Sequence, residues 1–351
     1  MRKLWILLCA LCLLLTGCSW MDGEYHSVTP HAGEGTQHVK DGITVSSYLQ
    51  LREALYEVVK TGTTEATFFI TEMNTDMVEQ YMNTAITHIL KNTAIGSYAV
   101  REVTFELGTQ AEYYAVAVKV DYVHGRQEIL RIKTATDVKN LKSRVNEALN
   151  NCSNMLVVYV DRYEDLDLAQ YVQDYVDRNV HICMEQPQVS VMLYPESGEE
   201  RIVELTFTYE TSRDTLRSMQ ENVAPIFSAA KLYVQGSADD LQKYSQLYSF
   251  LLERFEYQYE TSITPTYSLL RYGVGDCKAF ACVYSNMCQN AGLSCSVVSG
   301  TRNGEAWYWN QVKIDGEYYH VDLLVTEETE DFNPKRTEEM TGYVWDYSMY
   351  P

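Results

Sequence analysis

Positive charge is scarce in this 351-residue chain: 28 Lys and Arg stand against 48 Asp and Glu, a formal charge of −20 at neutral pH. Such a surface repels phosphate backbones and carries no basic stripe, which argues against nucleic acid as the main partner. Proline (7) and glycine (18) are few and no low-complexity tract occurs, so most of the chain is expected to fold. No apolar run reaches the ~20 residues of a membrane-spanning helix. There is no nucleotide-binding glycine loop, no zinc-type spacing and no haem-attachment motif, so no cofactor and no metal are expected. Histidine is sparse too, and His320 is the only one after His181. What the chain does have is 46% hydrophobic residues and 28 tyrosines, enough for sizeable cores over about two domains of ~150 residues.

The start of the chain carries an address. Arg2 and Lys3 precede an unbroken apolar run from Leu4 to Leu15, followed by Thr16, Gly17 and Cys18. A positive start, a short apolar core and small residues make an export leader. Leu15-Thr16-Gly17-Cys18 resembles the lipobox of bacterial lipoproteins. That resemblance implies cleavage before Cys18, lipidation of Cys18 and attachment to the outer face of the cytoplasmic membrane. Residues 1–17 are therefore expected to be a signal peptide. Residues 18–44, with Gly23, Pro30, Gly33, Gly35 and Gly42 and no apolar period, are expected to be a flexible tether. His26, His31 and His38 in that tether lack the spacing of a metal site.

Six cysteines lie beyond the leader: Cys152, Cys183, Cys277, Cys282, Cys288 and Cys295. An even count outside the cell admits disulfides. Four of the six, however, crowd between 277 and 295 in one expected helix and the strand after it, so most read as buried small hydrophobes.

Residues 45–135 and 136–212 read as two duplicated small α+β modules. Thr67–Ile70 is a strand, a helix runs through Met77, Tyr81, Ile86 and Ile89, and Tyr98–Phe105 with Tyr113–Tyr122 alternate as paired strands. The order recurs in Met155–Val160, a helix over Leu168–Val176, and a hairpin of Gln188–Leu193 and Ile202–Tyr209. Val78–Met82 aligns with Leu168–Val172, and Val120–Tyr122 with Phe207–Tyr209. Neither module carries a catalytic constellation, so binding, spacing or a purely structural stalk are open for them.

Residues 213–351 read as a third unit. Ser237-Ala238-Asp239-Asp240 caps a helix through Leu241, Tyr244, Leu247, Leu251 and Phe255. Gly273-Val274-Gly275-Asp276-Cys277 then opens a second helix, running to Ala291-Gly292. A thiol at a helix N-terminus meets unpaired N–H groups and the positive end of the dipole, both of which favour thiolate. Ser294–Gly300 is a strand, and Trp309–Ile314 with Tyr318–Asp322 form a hairpin around Asp315-Gly316.

This succession resembles the transglutaminase-like superfamily, with its papain-like Cys/His/Asp fold, from about Ser237 to Leu324. Gly275, Cys277, Phe280-Ala281, Ala291-Gly292-Leu293, Val298 with Gly300, Trp309-Asn310 with Val312, Gly316 and Tyr319-His320-Val321-Asp322 carry the resemblance. It implies an α+β domain with a Cys-bearing helix packed on an antiparallel sheet. It also implies a nucleophilic Cys277 and an Asp322 that would orient a histidine. The histidine itself is missing: with Trp309-Asn310 aligned, its place falls on Trp307, and sliding the register puts Glu305 there instead. His320 is a possible substitute base, but family members carry that histidine beside the catalytic one, so it reads as a structural neighbour.

Three functions are weighed. The first is a catalytically degenerate domain that binds a peptide, protein or cell-wall polymer, with Trp307, Tyr308 and Trp309 lining the old cleft. The second is a working Cys-dependent amide hydrolase or acyl transferase of the transglutaminase or cysteine-protease type. The third is a purely structural surface protein.

Overall fold

The computed structural model describes residues 42–110, 113–234, 236, 239–324 and 332–350. The expected leader, Cys18 and the tether as far as residue 41 lie outside the described residues. The tether's expected end at residue 44 is corrected, because β1 (Ile43–Val45) pairs in parallel with Phe68–Ile70 and its backbone groups are tied into a sheet ladder.

Ser47 caps α1 (Tyr48–Lys60) by accepting from the Gln50 N–H, and Leu51, Leu55, Val58 and Val59 give this helix one buried face. In α2 (Val78–Asn92), Val78, Met82, Ala85 and Ile89 do the same, and a short α3 (Ala94–Ala99) follows under a Thr93 cap. These helices pack on a sheet of β1, β2 (Glu65–Ile70), β3 (Val100–Gln110) and β4 (Tyr113–Tyr122), in the order β1-β2-β4-β3.

The second sheet contains β5 (Lys133–Asp137), β6 (Met155–Arg162), β7 (Gln188–Tyr194) and β8 (Arg201–Thr208), in the order β5-β6-β8-β7. As in the first sheet, its first two strands are parallel and the remaining pairs antiparallel. The boundary expected between 135 and 136 cuts through β5, which belongs wholly to the second sheet. Helices α4 (Val138–Asn150) and α5 (Leu168–Arg178), capped by Asp137 and Asp167, cover one face of this sheet. Its other face meets the first unit, where Ile202 is buried among the first core and Tyr194 meets Tyr98 edge-on at 5.3 Å. A strand covered on both faces needs an unbroken apolar run, which Leu156-Val157-Val158-Tyr159-Val160 supplies.

The C-terminal unit is built around α8 (Cys277–Asn290). Every residue from Ala279 to Cys288 is buried, so this helix is a core element rather than an amphipathic surface one. It is surrounded by α6 (Arg213–Tyr233), α7 (Asp240–Leu252) and an antiparallel sheet. That sheet contains β11 (Cys295–Arg302), β12 (Glu305–Ile314), β13 (Glu317–Val321) and β14 (Tyr343–Trp345), in the order β13-β12-β11-β14. The predicted cap of α7 falls on Asp239, which accepts from the Gln242 N–H at 2.7 Å; Ser237 and Ala238 lie outside the described residues. Two-residue strands β9 (Glu256–Tyr257) and β10 (Val274–Gly275) pair in parallel just before α8. Among the described residues, no helix is long and apolar enough to cross a membrane.

Gly300 in β11 lies between Trp307 of β12 and Trp345 of β14. A Cβ there would run into the Val344 carbonyl oxygen and come 2.8 Å from the Trp309 ring. Gly300→Ala is therefore expected to destabilise the protein by about 1–3 kcal/mol, read as a lower urea midpoint at unchanged slope.

Candidate active site

Cys277 is the first residue of α8. Its backbone setting comes from the parallel pairing of β9 and β10, in which Gly275 stands opposite Tyr257 and Gln258 N–H donates to the Gly275 carbonyl at 2.8 Å. Gly273 turns the chain at φ +86°, a conformation that glycine adopts without strain. Asp276 caps the helix, with its Oδ1 accepting from the Ala279 N–H at 2.8 Å and its Oδ2 from the Thr261 hydroxyl. The Cys277 thiol is half-buried. Burial pushes its pKa up and the carboxylates of Asp276 and Asp322 add to this, while hydrogen bonding from the backbone of Tyr308 and Lys278 opposes it. The favourable helix terminus thus does not prevail over burial and two nearby negative charges.

Asp322 follows β13, and its side chain is 3% exposed. Oδ2 accepts from Trp307 Nε1 at 2.8 Å and from the Tyr343 hydroxyl at 2.7 Å, and Arg302 stands 3.5 Å away. Oδ1 accepts from the Leu324 N–H at 2.9 Å. The indole N–H of Trp307 therefore occupies the carboxylate that would orient an imidazole. The Arg302 guanidinium lies over the Trp307 and Tyr343 rings at 5.2 and 5.7 Å, and Tyr257 meets Trp307 at 5.9 Å.

His320, the possible substitute base, is committed to other partners. It is 1% exposed, its Nδ1 accepts from Trp309 Nε1 at 3.0 Å, and its Nε2 is 3.4 Å from the Thr337 hydroxyl. The other described histidines are engaged elsewhere. His88 meets Asn92, His124 stacks on Tyr98, and His181 lies against Phe227 and Asn286. Asn286 is nine residues along α8 from Cys277, ~13 Å by helix rise.

The aromatic wall expected from Trp307, Tyr308 and Trp309 is corrected. Alternation along β12 sends Trp307 and Trp309 to one face and Tyr308 to the other, the face on which Asn310 Nδ2 donates to the Ala281 carbonyl of α8. Trp309 is fully buried among Tyr343, Trp345 and His320, so it packs the sheet and contacts no cleft. Tyr308 instead lines a groove of about 370 Å³ with Asp174, Asp177, Arg178, Ser299 and Tyr350. On the other side of the ion pair between Lys278 and Asp177 (2.8 Å) lies a cavity of about 280 Å³, walled by Met184, Ile263, Pro265 and Cys282. The six described cysteines are free thiols, and all but Cys277 are buried. Among the described residues, no group of three or more His, Cys, Asp or Glu is gathered to hold a metal ion.

Arg302, Tyr343 and Tyr257 are the site neighbours that sequence reasoning missed. Arg302 and Tyr343 meet through the pairing of β11 with β14, whose three residues carry no periodic signal.

Residues 228–323 match the family model of the transglutaminase-like superfamily. No curated protein matches the sequence. Among solved structures, a TGase shares 9% identity, covering 66% of this chain and 66% of its own, at a TM-score of 0.29. A proposed protease from Parabacteroides distasonis shares 9% identity over 73% of this chain and 39% of its own, at a TM-score of 0.25. A proposed cysteine protease from Cytophaga hutchinsonii shares 12% identity over 45% of this chain and 70% of its own, at a TM-score of 0.27. The chain thus spans just under two thirds of the first of these and well under half of the second. Similarity this remote carries no argument about chemistry, which rests on the residues themselves.

The burial of His320 has a measurable consequence. Desolvation lowers its pKa from 6.5 to about 4. The unfolded chain therefore binds more protons between these values, and the stability that His320 contributes is full above pH 6.5 and lost as pH falls towards 4. The expected loss is on the order of 3 kcal/mol. Urea unfolding measured across this window should show the fall in the wild type and a flattened profile in His320→Gln.

Proposed function

Residues 228–323 are a transglutaminase-like domain, and from that premise we propose that it binds a peptide or cell-surface polymer without turning over amide bonds. In this reading the chain is exported and held by lipid on Cys18 at the outer face of the cytoplasmic membrane. The motif at residues 2–18 supports that address. The observation that carries the functional reading is the 2.8 Å hydrogen bond from Trp307 Nε1 to Asp322 Oδ2.

In Cys-His-Asp chemistry the imidazole takes the thiol proton and returns it to the departing amine. An indole N–H does neither near neutral pH. Loss of a positioned acid–base group costs ~10²–10⁴-fold. Burial and the two carboxylates beside Cys277 further reduce the thiolate fraction. Binding surface remains: the 280 Å³ cavity reaches the first turn of α8 at Lys278 and Ala279, the 370 Å³ groove runs along its later turns at Ser285 and Gln289, and Asp177 lines both. An extended polymer lying in that groove would meet tyrosine rings, amides and charges of both signs.

The competing reading is a Cys-dependent amide hydrolase or acyl transferase, favoured by the half-buried thiol facing the Tyr308 and Lys278 backbone. Substrates that differ in leaving group separate the two. A thioester or nitrophenyl ester expels an anion that needs no proton, whereas an amide needs an acid. The expected result is at most one acyl group per chain, on Cys277 and absent in Cys277→Ala, with no amide turnover. Trp307→His should raise the rate of Cys277 alkylation at pH 7 by roughly tenfold or more. Steady-state amide hydrolysis by the wild type that vanishes in Cys277→Ala would restore the enzyme reading.

A further inference from the structure

Two of the buried cysteines form a pair outside the candidate site. Cys288 lies in the last turn of α8 and is fully buried, and Cys295 opens β11 and is 4% exposed. Three hydrogen bonds clamp these segments together. Leu293 N–H donates to the Cys288 carbonyl at 2.9 Å, and Ser285 Oγ and Gln289 Nε2 donate to the Cys295 carbonyl at 3.0 and 2.8 Å. Ser285 and Gln289 bracket Cys288 on the helix, so the strand begins directly against the turn that carries it. Both side chains face the same buried core beside Tyr284, and each thiol is among the groups that bear on the other.

The surrounding hydroxyls are already committed: Tyr284 donates to the Tyr244 carbonyl at 3.0 Å and Tyr244 to the Ser294 carbonyl at 2.6 Å. Neither hydroxyl depends on a thiol as its acceptor. The other cysteines are placed differently. Cys152 stands 3.5 Å from Gln220 Nε2, Cys183 and Cys282 line the 280 Å³ cavity, and Cys277 faces the backbone of Tyr308.

We propose that Cys288 and Cys295 are an oxidisable pair that forms a structural disulfide, tying the end of the nucleophile-bearing helix to the first strand of its sheet. Both S–H bonds break and one S–S bond forms. Two protons and two electrons pass to a low-molecular-weight disulfide such as glutathione disulfide, which is reduced to two thiols. The bond closes a short loop and removes two weak donors from the core. It consumes no group used at Cys277, so it stands or falls independently of whether the domain turns over substrate.

The test folds the full chain in a buffer of reduced and oxidised glutathione, quenches with acid, alkylates the remaining thiols and maps the peptides by mass. The expected product is a linked Cys288–Cys295 peptide pair, with Cys152, Cys183, Cys277 and Cys282 alkylated. Reduction should lower the thermal midpoint by roughly 5 °C, and Cys288→Ser with Cys295→Ser should abolish that sensitivity. Alkylation of both Cys288 and Cys295, or a bond from either to another cysteine, overturns the proposal.

Discussion

The C-terminal sheet is organised by one buried carboxylate. Asp322 draws donors from three other places in the chain: Arg302 at the end of β11, Trp307 in β12 and Tyr343 in β14, besides the N–H of Leu324 two residues on. A carboxylate 3% exposed is tolerable only when its oxygens are hydrogen-bonded and a cation is near, and here both conditions hold. The same contacts fix the Trp307 indole, and through it the Arg302 and Tyr257 side chains stacked beside it. A carboxylate that would orient a catalytic base is thus committed to joining strands. Its position is needed for packing whether or not any chemistry takes place at Cys277.

The framework of this unit is readable from sequence because its signals are local. Asp276 is a capping residue one position before the helix, and Asp315-Gly316, at φ 51° and 89°, is the turn that a two-residue hairpin favours. The alignment that sets Trp307 against Asp322 depends on a hairpin register, which the turn fixes. Other features have no local signature. β5 reads Lys-Thr-Ala-Thr-Asp with only Ala135 buried, so its membership of the second sheet is invisible without its partner β6. Tyr98 sits in α3 rather than in a strand because Thr93 caps a further helical turn. The error over Trp307, Tyr308 and Trp309 is of another kind, because strict alternation already forbids three successive residues from sharing one face.

The second unit bears on the mouth of the candidate site. Helix α5 ends against α8, where Asn286 Nδ2 donates to the Arg178 carbonyl at 2.9 Å, satisfying a polar side chain that a buried helix would otherwise strand. One residue earlier on α5, Asp177 pairs with Lys278, the residue after Cys277. The two recesses beside α8 are composite, with Val176 or Asp174 of α5 on one side and Cys282 or Ser285 of α8 on the other. Their shape thus depends on both units, because Asp177 of α5 lines each of them.

The raised pKa of Cys277 follows from competition for a single electrostatic resource. The N-terminus of α8 offers unpaired amides and a positive dipole end, and either a capping carboxylate or a thiolate can use them. Asp276 holds the Ala279 N–H and the Thr261 hydroxyl, which supports the helix by about 1 kcal/mol. A thiolate on Cys277 would then be a second anion at the same helix end, with Asp322 as a third nearby. A neighbouring imidazolium could offset that repulsion. At the place expected for that imidazole stands the Trp307 indole, which supplies Asp322 with a hydrogen bond but no charge. The arrangement that stabilises the helix terminus and the sheet is, for the same reason, one that disfavours a thiolate at Cys277.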